Sequence, residues 1–309
     1  MRISVITPVY NGAKYIEETL VSVLKASETY DIEYLVIDDG SIDETSQILE
    51  KYSTKISVFH QTNAGESAAV NTGFNHASGD FVLVVSADDP LFTPAIFDGV
   101  VDFFDNNPEV VVWYPNWNMI DQDGNLIRTV EVDEYSDEKL IGRFICLPGP
   151  GAFIRKSAAL QIGGRRVKWK YVGDYDFWLR ISRVGNLKKR DAILAQWRFH
   201  DESTSISQRG KKMFEERITV IDEFVNEFSI ANPLSRIAKA HAHYFASLLS
   251  YYSKEIPGRR ALLKSILIRR GIVEEAQLRI FIYVLLMPLS FHLKPLLVKL
   301  PKYLIKGRK

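Results

Sequence analysis

Residues 80–90 read DFVLVVSADDP. An apolar run of strand length ends in two adjacent carboxylates, Asp88 and Asp89, with the backbone fixed behind them by Pro90. Like charges at that spacing repel, and a loop closing a buried strand offers them little water, so a positive group is expected beside them. The same grammar runs upstream. ISVITPV leads into YNG, EYLVIDD into GSIDE, and ISVFHQ into NAGES, each an apolar run followed by polar punctuation. Segments of helical period separate these runs: AKYIEETLVSVLKAS, with Ile16, Leu20, Val23 and Leu24 on one face, then DETSQILEKYS, then AGESAAVNTGFNHAS. A further helix is expected over TPAIFDGVVDFFDNN, before the strand VVVWYP. Strands alternating with helices predict an α/β fold, a Rossmann-like mostly parallel sheet flanked by helices. Ligands of such sheets bind outside the carboxyl ends of the strands, where the polar loops gather.

The alternation fills residues 1–114; residues 115–205 are less regular, with NWNMIDQDGN reading as a turn between strands. From about residue 206 to 309 the pattern turns helical, with Phe214, Ile218, Ile221, Val225 and Phe228 recurring every three or four residues. In a chain of 309 residues, a formal net charge of +1 argues against nucleic acid as a partner, since that needs a strongly basic surface. The single cysteine, Cys146, excludes an internal disulfide and reads as buried filler. MRISVITPVY has no basic region followed by an apolar stretch of signal length, which predicts a cytoplasmic protein. Residues 279–309 carry seven Lys or Arg and no acid, in apolar runs broken by Pro288, Pro295 and Pro301. That composition fits either a segment lying on the inner face of an anionic membrane or a helix packed on its own protein.

Neither a dinucleotide glycine fingerprint nor a phosphate loop with Gly-Lys is present. The rim offers acid instead: Asp38 and Asp39 after the second strand, Asp88 and Asp89 after the fourth. Carboxylates without thiols or paired histidines suit a hard cation, Mn2+ or Mg2+, held by one or two carboxylates together with substrate phosphates. The positive group the opening stretch calls for is then a metal that holds a diphosphate.

TPVYNG, VIDDGSIDET, NAGESAAVNTGFNHASGDFVLVVSADDP, GDYDFWLR and WRFHDESTSIS, in that order, resemble the family-2 glycosyltransferases of the GT-A fold over about residues 1–205. The resemblance implies a nucleotide-binding half over 1–114, an acceptor-side half over 115–205 and a helical C-terminal extension over 206–309. It further implies an inverting, metal-dependent transfer of sugar from a nucleotide-diphosphate donor, a UDP-sugar being favoured, to a glycan or lipid-linked acceptor. By the same resemblance Thr7, Pro8 and Tyr10 lie against the nucleotide base, and Asp39 accepts from the base ring. The alternatives are a core aromatic for Tyr10 and, for Asp39, a turn-holding role, because Ser41 to Glu44 has the form of a capping box. Asp88 matches the contact to donor sugar and metal, with Asp89 and His200 as further metal ligands; a structural histidine is the alternative for His200. Many relatives carry another Asp where this chain has Ser86, and a Glu where it has Gly173. Asp174 matches the base that deprotonates the acceptor hydroxyl, with Asp176 as its rival. Trp169 and Trp178 read as core or as sugar platforms.

Surface polysaccharide or glycolipid synthesis is the expected setting. A nucleotidyltransferase that makes sugar nucleotides is the alternative enzyme, though its basic phosphate loop is missing: TPVYNG meets no Lys or Arg until Lys14. A non-catalytic nucleotide- or glycan-binding protein is the third reading.

Overall fold

The structure, a computed structural model, describes residues 2–143, 147–200, 211–252 and 258–269. Cys146 and the basic segment 279–309 lie outside the described residues. The chain divides into two compact units, Met1–Tyr135 with Cys146–Ser203, and Ser136–Ile145 with Thr204–Lys309.

The first unit opens with β1 (Ile3–Val9), α1 (Ile16–Ser27), β2 (Ile32–Asp38), α2 (Thr45–Glu50), β3 (Ser57–His60), α3 (Glu66–His76) and β4 (Phe81–Val84). Strands β1 to β4 pair in parallel. The eight described strands form one sheet in the order β3-β2-β1-β4-β7-β5-β6, with β8 on β5. The chain therefore winds outward from β1 to β3 and returns to the other side of β1 at β4, a reversal that opens a crevice at the carboxyl edge between β1 and β4. Register fixes what emerges there: Val9 lies level with Asp38, and Ile6 with Val84. The core beneath joins Val5, Val36, Phe81 and Leu83 of the sheet to Ile16, Leu20 and Val23, the apolar face expected of α1.

One expected helix is two. Pro94–Phe97 forms a 3-10 turn whose Ala95 N–H is capped by the Thr93 hydroxyl, and α4 (Val100–Asn106) starts only after Gly99, whose φ of +66° breaks the run. The second half holds β5 (Val110–Ile120), β6 (Leu126–Val130), β7 (Phe153–Arg155), α5 (Lys156–Gln161), α6 (Gly173–Ile181) and β8 (Asn186–Arg198). NWNMIDQDGN is the β5–β6 hairpin: Asp121 caps its turn, accepting from the N–H groups of Asp123 and Asn125. The long strand β8 goes beyond the sequence-based expectation, because the charged stretch KKRD masks its alternation. It runs parallel to β5 and delivers Arg198 and His200 to the carboxyl edge.

The second unit contains α7 (Lys211–Glu227), α8 (Leu234–Tyr252) and α9 (Gly258–Ile268), with a π turn, Glu138–Gly142, against α8. Small residues of α8, among them Ala238, Ala242 and Ala246, are buried. No helix among the described residues is long and apolar enough to cross a membrane.

Candidate functional site

The carboxyl edge of β1 and β2 is tied before any ligand arrives. Asn11 donates its N–H to the Ser41 hydroxyl at 3.0 Å and accepts the Ile42 N–H on its own side chain at 2.9 Å. Ala13 donates to Asp43 at 3.1 Å and Gly12 to Thr45 at 2.9 Å. Tyr10 stands on this platform 49 % exposed, so the core role is excluded. Thr7 and Pro8 correct the expectation drawn for them. The strand continues through Val9, and both are buried inside β1, Thr7 with its hydroxyl 3.1 Å from that of Tyr34. The capping box over Ser41 to Glu44 is likewise absent: α2 begins at Thr45, whose N–H goes to Asp43, while Ser41 serves Asn11.

Asp38 and Asp39 both hold turns. Burial would raise the Asp38 carboxyl, but bonds from Ser41, Ser46 and His60 outweigh it and hold the group below its ordinary value. Asp39, buried, accepts from Gln61 Nε2 at 2.7 Å and from the N–H groups of Ala64 and Gly65 at 2.9 and 2.8 Å. It thereby fixes the loop that starts α3.

After β4 the two carboxylates part. Asp89 turns inward and accepts the Arg198 N–H on Oδ1 at 2.7 Å. Burial first, then the charge of Asp88, push its carboxyl well above the usual range, against the opposing Arg198 N–H, the Ser86 hydroxyl and the Arg198 charge. Ser86 thus acts as a donor to Asp89. Asp88 keeps its side chain 30 % exposed, with Oδ2 2.8 Å from His200 Nε2. Arg198 binds the whole loop: Nε reaches the Asp88 carbonyl at 2.8 Å, Nη1 the Gln122 carbonyl at 2.8 Å and Nη2 Glu18 at 2.6 Å, with the guanidinium 5.0 Å from the Tyr15 ring. Part of the positive charge sought by the DFVLVVSADDP stretch is therefore protein. Arg198 is absent from the residues singled out by sequence although WRFH carries the signal, since alternate residues of a strand share a face.

Asp174 lies in the first turn of α6, and Asp176 is the structural acid of the pair. Asp176 is buried, bonded to Arg180 Nε at 2.8 Å and to Arg166 at 3.4 Å, and Arg180 in turn caps the carbonyls of Ile162 and Gly164. Asp174 has its surface open to water although protein mass crowds it. Desolvation raises its carboxyl, Arg165 opposes this, and Glu66 adds to it. Water at that open surface screens both neighbouring charges. At Gly173 a Cβ would stand 2.5 Å from Ser67 Oγ. That close approach seats α6 on the first turn of α3, so Asp174 belongs to the same carboxyl rim as β3. Trp169 and Trp178 are buried.

Among the described residues no group of three His, Cys, Asp or Glu side chains stands ready as a metal cage. The donors at Asp88 nevertheless fit a cation that completes its shell with phosphate oxygens: a half-open carboxylate next to His200, whose buried Nδ1 has no hydrogen-bond partner.

A mostly parallel sheet with acids at the carboxyl edge of its switch point defines an α/β protein whose ligand site lies at that edge. The sequence profile of glycosyl transferase family 2 matches residues 4–162, and the chain belongs to that family. It is 30 % identical over 262 residues to an uncharacterized glycosyltransferase of Rickettsia typhi, a match over 82 % of this chain and 80 % of the relative. Identity to the chondroitin synthase of Escherichia coli is 30 % over 232 residues, 74 % of this chain but only 33 % of that longer protein. The fold is GT-A. S. aureus TarS residues 1–349 in complex with UDP-GlcNAc superposes at a TM-score of 0.60 with 20 % identity, over 89 % of this chain and 92 % of that one. The mannosyltransferase PcManGT of Pyrobaculum calidifontis in complex with GDP-Man and Mn2+ does so at 0.57 with 15 % identity, over 95 % and 81 %.

Proposed function

We propose that the chain is an inverting glycosyltransferase that moves a sugar from a nucleotide diphosphate, a UDP-sugar, to a hydroxyl of a glycan or lipid-linked acceptor. Its setting is the synthesis of surface polysaccharide or glycolipid on the cytoplasmic side. The observation that carries the reading is the convergence on one sheet edge of an exposed aromatic, Tyr10, a half-open carboxylate, Asp88, and a second acid in a crowded environment, Asp174. Family membership, a TarS complex with UDP-GlcNAc and a chondroitin synthase relative support the donor and product classes.

Tyr10 takes the base on its face, and Asp39 holds the adjoining loop through its bonds to Gln61, Ala64 and Gly65. Asp88, with His200, holds the divalent cation, Mn2+ or Mg2+, which when bound supplies positive charge to the departing diphosphate. Arg198 keeps Asp88 in position through its carbonyl. Asp174 removes the proton of the acceptor hydroxyl, and its raised basicity suits that task. The oxygen attacks the anomeric carbon as the bond to the diphosphate oxygen breaks on the opposite face, which inverts the centre. Residues 1–205 carry this chemistry, and residues 206–309 form an extension that brings it to its acceptor. Within it, 279–309, with seven cations and no acid, contacts anionic lipid peripherally.

Calorimetric titration of UDP, GDP and dTDP with and without Mn2+ tests the donor site. The expected result is Mn2+-dependent UDP binding that is lost in Asp88→Ala. Failure of folded protein to bind any of the three nucleotides would remove the proposal.

A further inference from the structure

Two buried polar atoms beside the Asp88 loop have no hydrogen-bond partner among the described residues, the Tyr15 hydroxyl and Nδ1 of His200. They belong to rings in contact, with centroids 4.9 Å apart and planes inclined at 47°. Both residues are only 8 % exposed, so neither atom turns to bulk water instead. Tyr15 is held at the N-terminal boundary of α1, where its N–H donates to the Gly12 carbonyl at 3.0 Å, and the Gly12 N–H is itself bonded to Thr45. Glu18, one turn along the same helix, takes the bond from Arg198 Nη2, so one face of α1 meets Arg198 and His200 together. The Tyr15 ring is flanked by the Arg198 guanidinium at 5.0 Å and by Lys14 Nζ at 4.8 Å. A phenylalanine ring would serve those cations and the imidazole as well. The hydroxyl is an added cost, because a buried polar group without a partner is unfavourable, and two such groups in one ring contact call for a use.

We propose that Tyr15 is a positioning residue for His200: its hydroxyl takes Nδ1 when Nε2 is given to a divalent cation. The inference rests on the reading that Asp88 and His200 hold that cation. The imidazole sets the requirement. Nε2 lies 2.8 Å from Asp88 Oδ2, and an ionised carboxylate only accepts, so the proton of the neutral ring sits on Nε2 and Nδ1 presents a lone pair. A histidine offers Nε2 to a metal only as a lone pair, which places that one proton on Nδ1 instead. Nδ1–H then needs an acceptor. A tyrosine hydroxyl both donates and accepts, so Tyr15 suits Nδ1 in either tautomer; Arg198 and Lys14, the cations on its ring, carry donors only. A partner on the far nitrogen fixes the orientation of a metal-bound imidazole, and losing such a partner costs about 10- to 100-fold in metal affinity.

Tyr15→Phe keeps the ring and removes only the hydroxyl. In full-length protein with saturating UDP, Mn2+ is titrated and the free ion is counted from its paramagnetic resonance signal. The Kd for Mn2+ should rise roughly 10- to 100-fold in Tyr15→Phe. Its Tm without metal should stay within about 2 °C of wild type, because the hydroxyl has no bond to lose there. His200→Ala should weaken Mn2+ at least as much, and adding Tyr15→Phe to it should change nothing further, which a role in packing alone would not produce. The wild-type protein supplies a second measurement that needs no folded Tyr15 variant. The 15N shifts of the His200 ring, identified by their loss in His200→Ala, should place the proton on Nε2 in the protein alone. With UDP and Zn2+, a diamagnetic ion that imidazole suits, the proton should be on Nδ1. Unchanged Mn2+ affinity in Tyr15→Phe, or a proton that stays on Nε2 in the Zn2+ complex, overturns the inference. Unchanged Mn2+ affinity in His200→Ala would instead overturn the reading of His200 as a cation ligand and leave Tyr15 nothing to position.

Discussion

Arg198→Met is the perturbation with the largest calculable effect. The side chain is 2 % exposed, and methionine fills most of its stem while removing every donor. Two main-chain carbonyls, of Asp88 and Gln122, lose bonds of 2.8 Å, and an unsatisfied acceptor in such a place costs about 1–3 kcal/mol. The Glu18 pair adds less than about 1 kcal/mol, since Glu18 is 55 % exposed. Loss of the guanidinium from the Tyr15 ring contributes about 0.5–1 kcal/mol more. With both carbonyls counted the sum is about 2.5–8 kcal/mol, and at about 2–4 °C per kcal/mol for a unit of this size Tm should fall by roughly 5–32 °C. The assay is selective: all five tryptophans, Trp113, Trp117, Trp169, Trp178 and Trp197, lie in the first unit, so their fluorescence reports its unfolding alone. Arg198→Lys should recover little, because one ammonium cannot reach three segments at once. A Tm within about 2 °C of wild type in Arg198→Met, with nucleotide binding intact, would refute the account.

Tyr10→Ala should leave stability within about 0.5 kcal/mol, as an exposed site does, and weaken UDP by about 1–3 kcal/mol, seen calorimetrically as roughly a 5- to 150-fold rise in Kd. Gly173→Ala should destabilise by about 1–3 kcal/mol through its clash with Ser67 Oγ, and Gly173→Ala combined with Ser67→Ala should recover most of that in urea unfolding; an undisturbed single variant would exclude the clash. In the helical unit, burial first and then Lys264 lower His243 to about 4, against a weaker upward pull from Asp222. The folded state therefore holds it neutral where the unfolded chain protonates, so its stability is complete above pH 6.5 and declines as pH falls toward 4. His243→Gln should flatten that slope in thermal melts monitored by circular dichroism, and an unchanged slope would exclude His243 as its source.

The sheet is legible in the sequence because its strands are apolar runs with polar ends. ISVITPV and DFVLVVS lie where their composition puts them, at the centre of the order, each buried by helices on its flank. What is not legible depends on distant partners. Thr7 and Pro8 belong to the apolar run ISVITPV, but only the pairing of β1 with β2 through Val9 shows that they are buried in the sheet and do not line the base pocket as the resemblance implies. The single helix expected after SADDP fails on one residue, Gly99, whose left-handed φ local periodicity does not register. Arg198 and Tyr15 meet carbonyls, a carboxylate and an imidazole far away in sequence, and no spacing rule encodes those encounters. The site acids themselves are readable, because a carboxylate at the end of a buried strand is conspicuous; their division of labour is not.

That division arises from electrostatics. Two ionised carboxylates side by side at the edge of a low-dielectric core cannot both be stabilised, and the fold separates them by depth. Asp89 is drawn inward, where burial and the neighbouring charge favour its neutral form and the Arg198 N–H fixes its direction. Asp88 is left at the surface against His200 with lone pairs open to solvent. The two alanine variants must then differ in kind. Asp88→Ala should abolish Mn2+-dependent UDP binding, and since its stability cost is the lost His200 contact at the half-open rim, Tm should fall less than in Asp89→Ala. Asp89→Ala deletes the acceptor of a buried N–H and should lower Tm measurably, by about 1–3 kcal/mol of stability, before binding is considered. Equal melting temperatures for the two, read by tryptophan fluorescence, would mean that depth does not divide the pair, and that both carboxylates face the ligand.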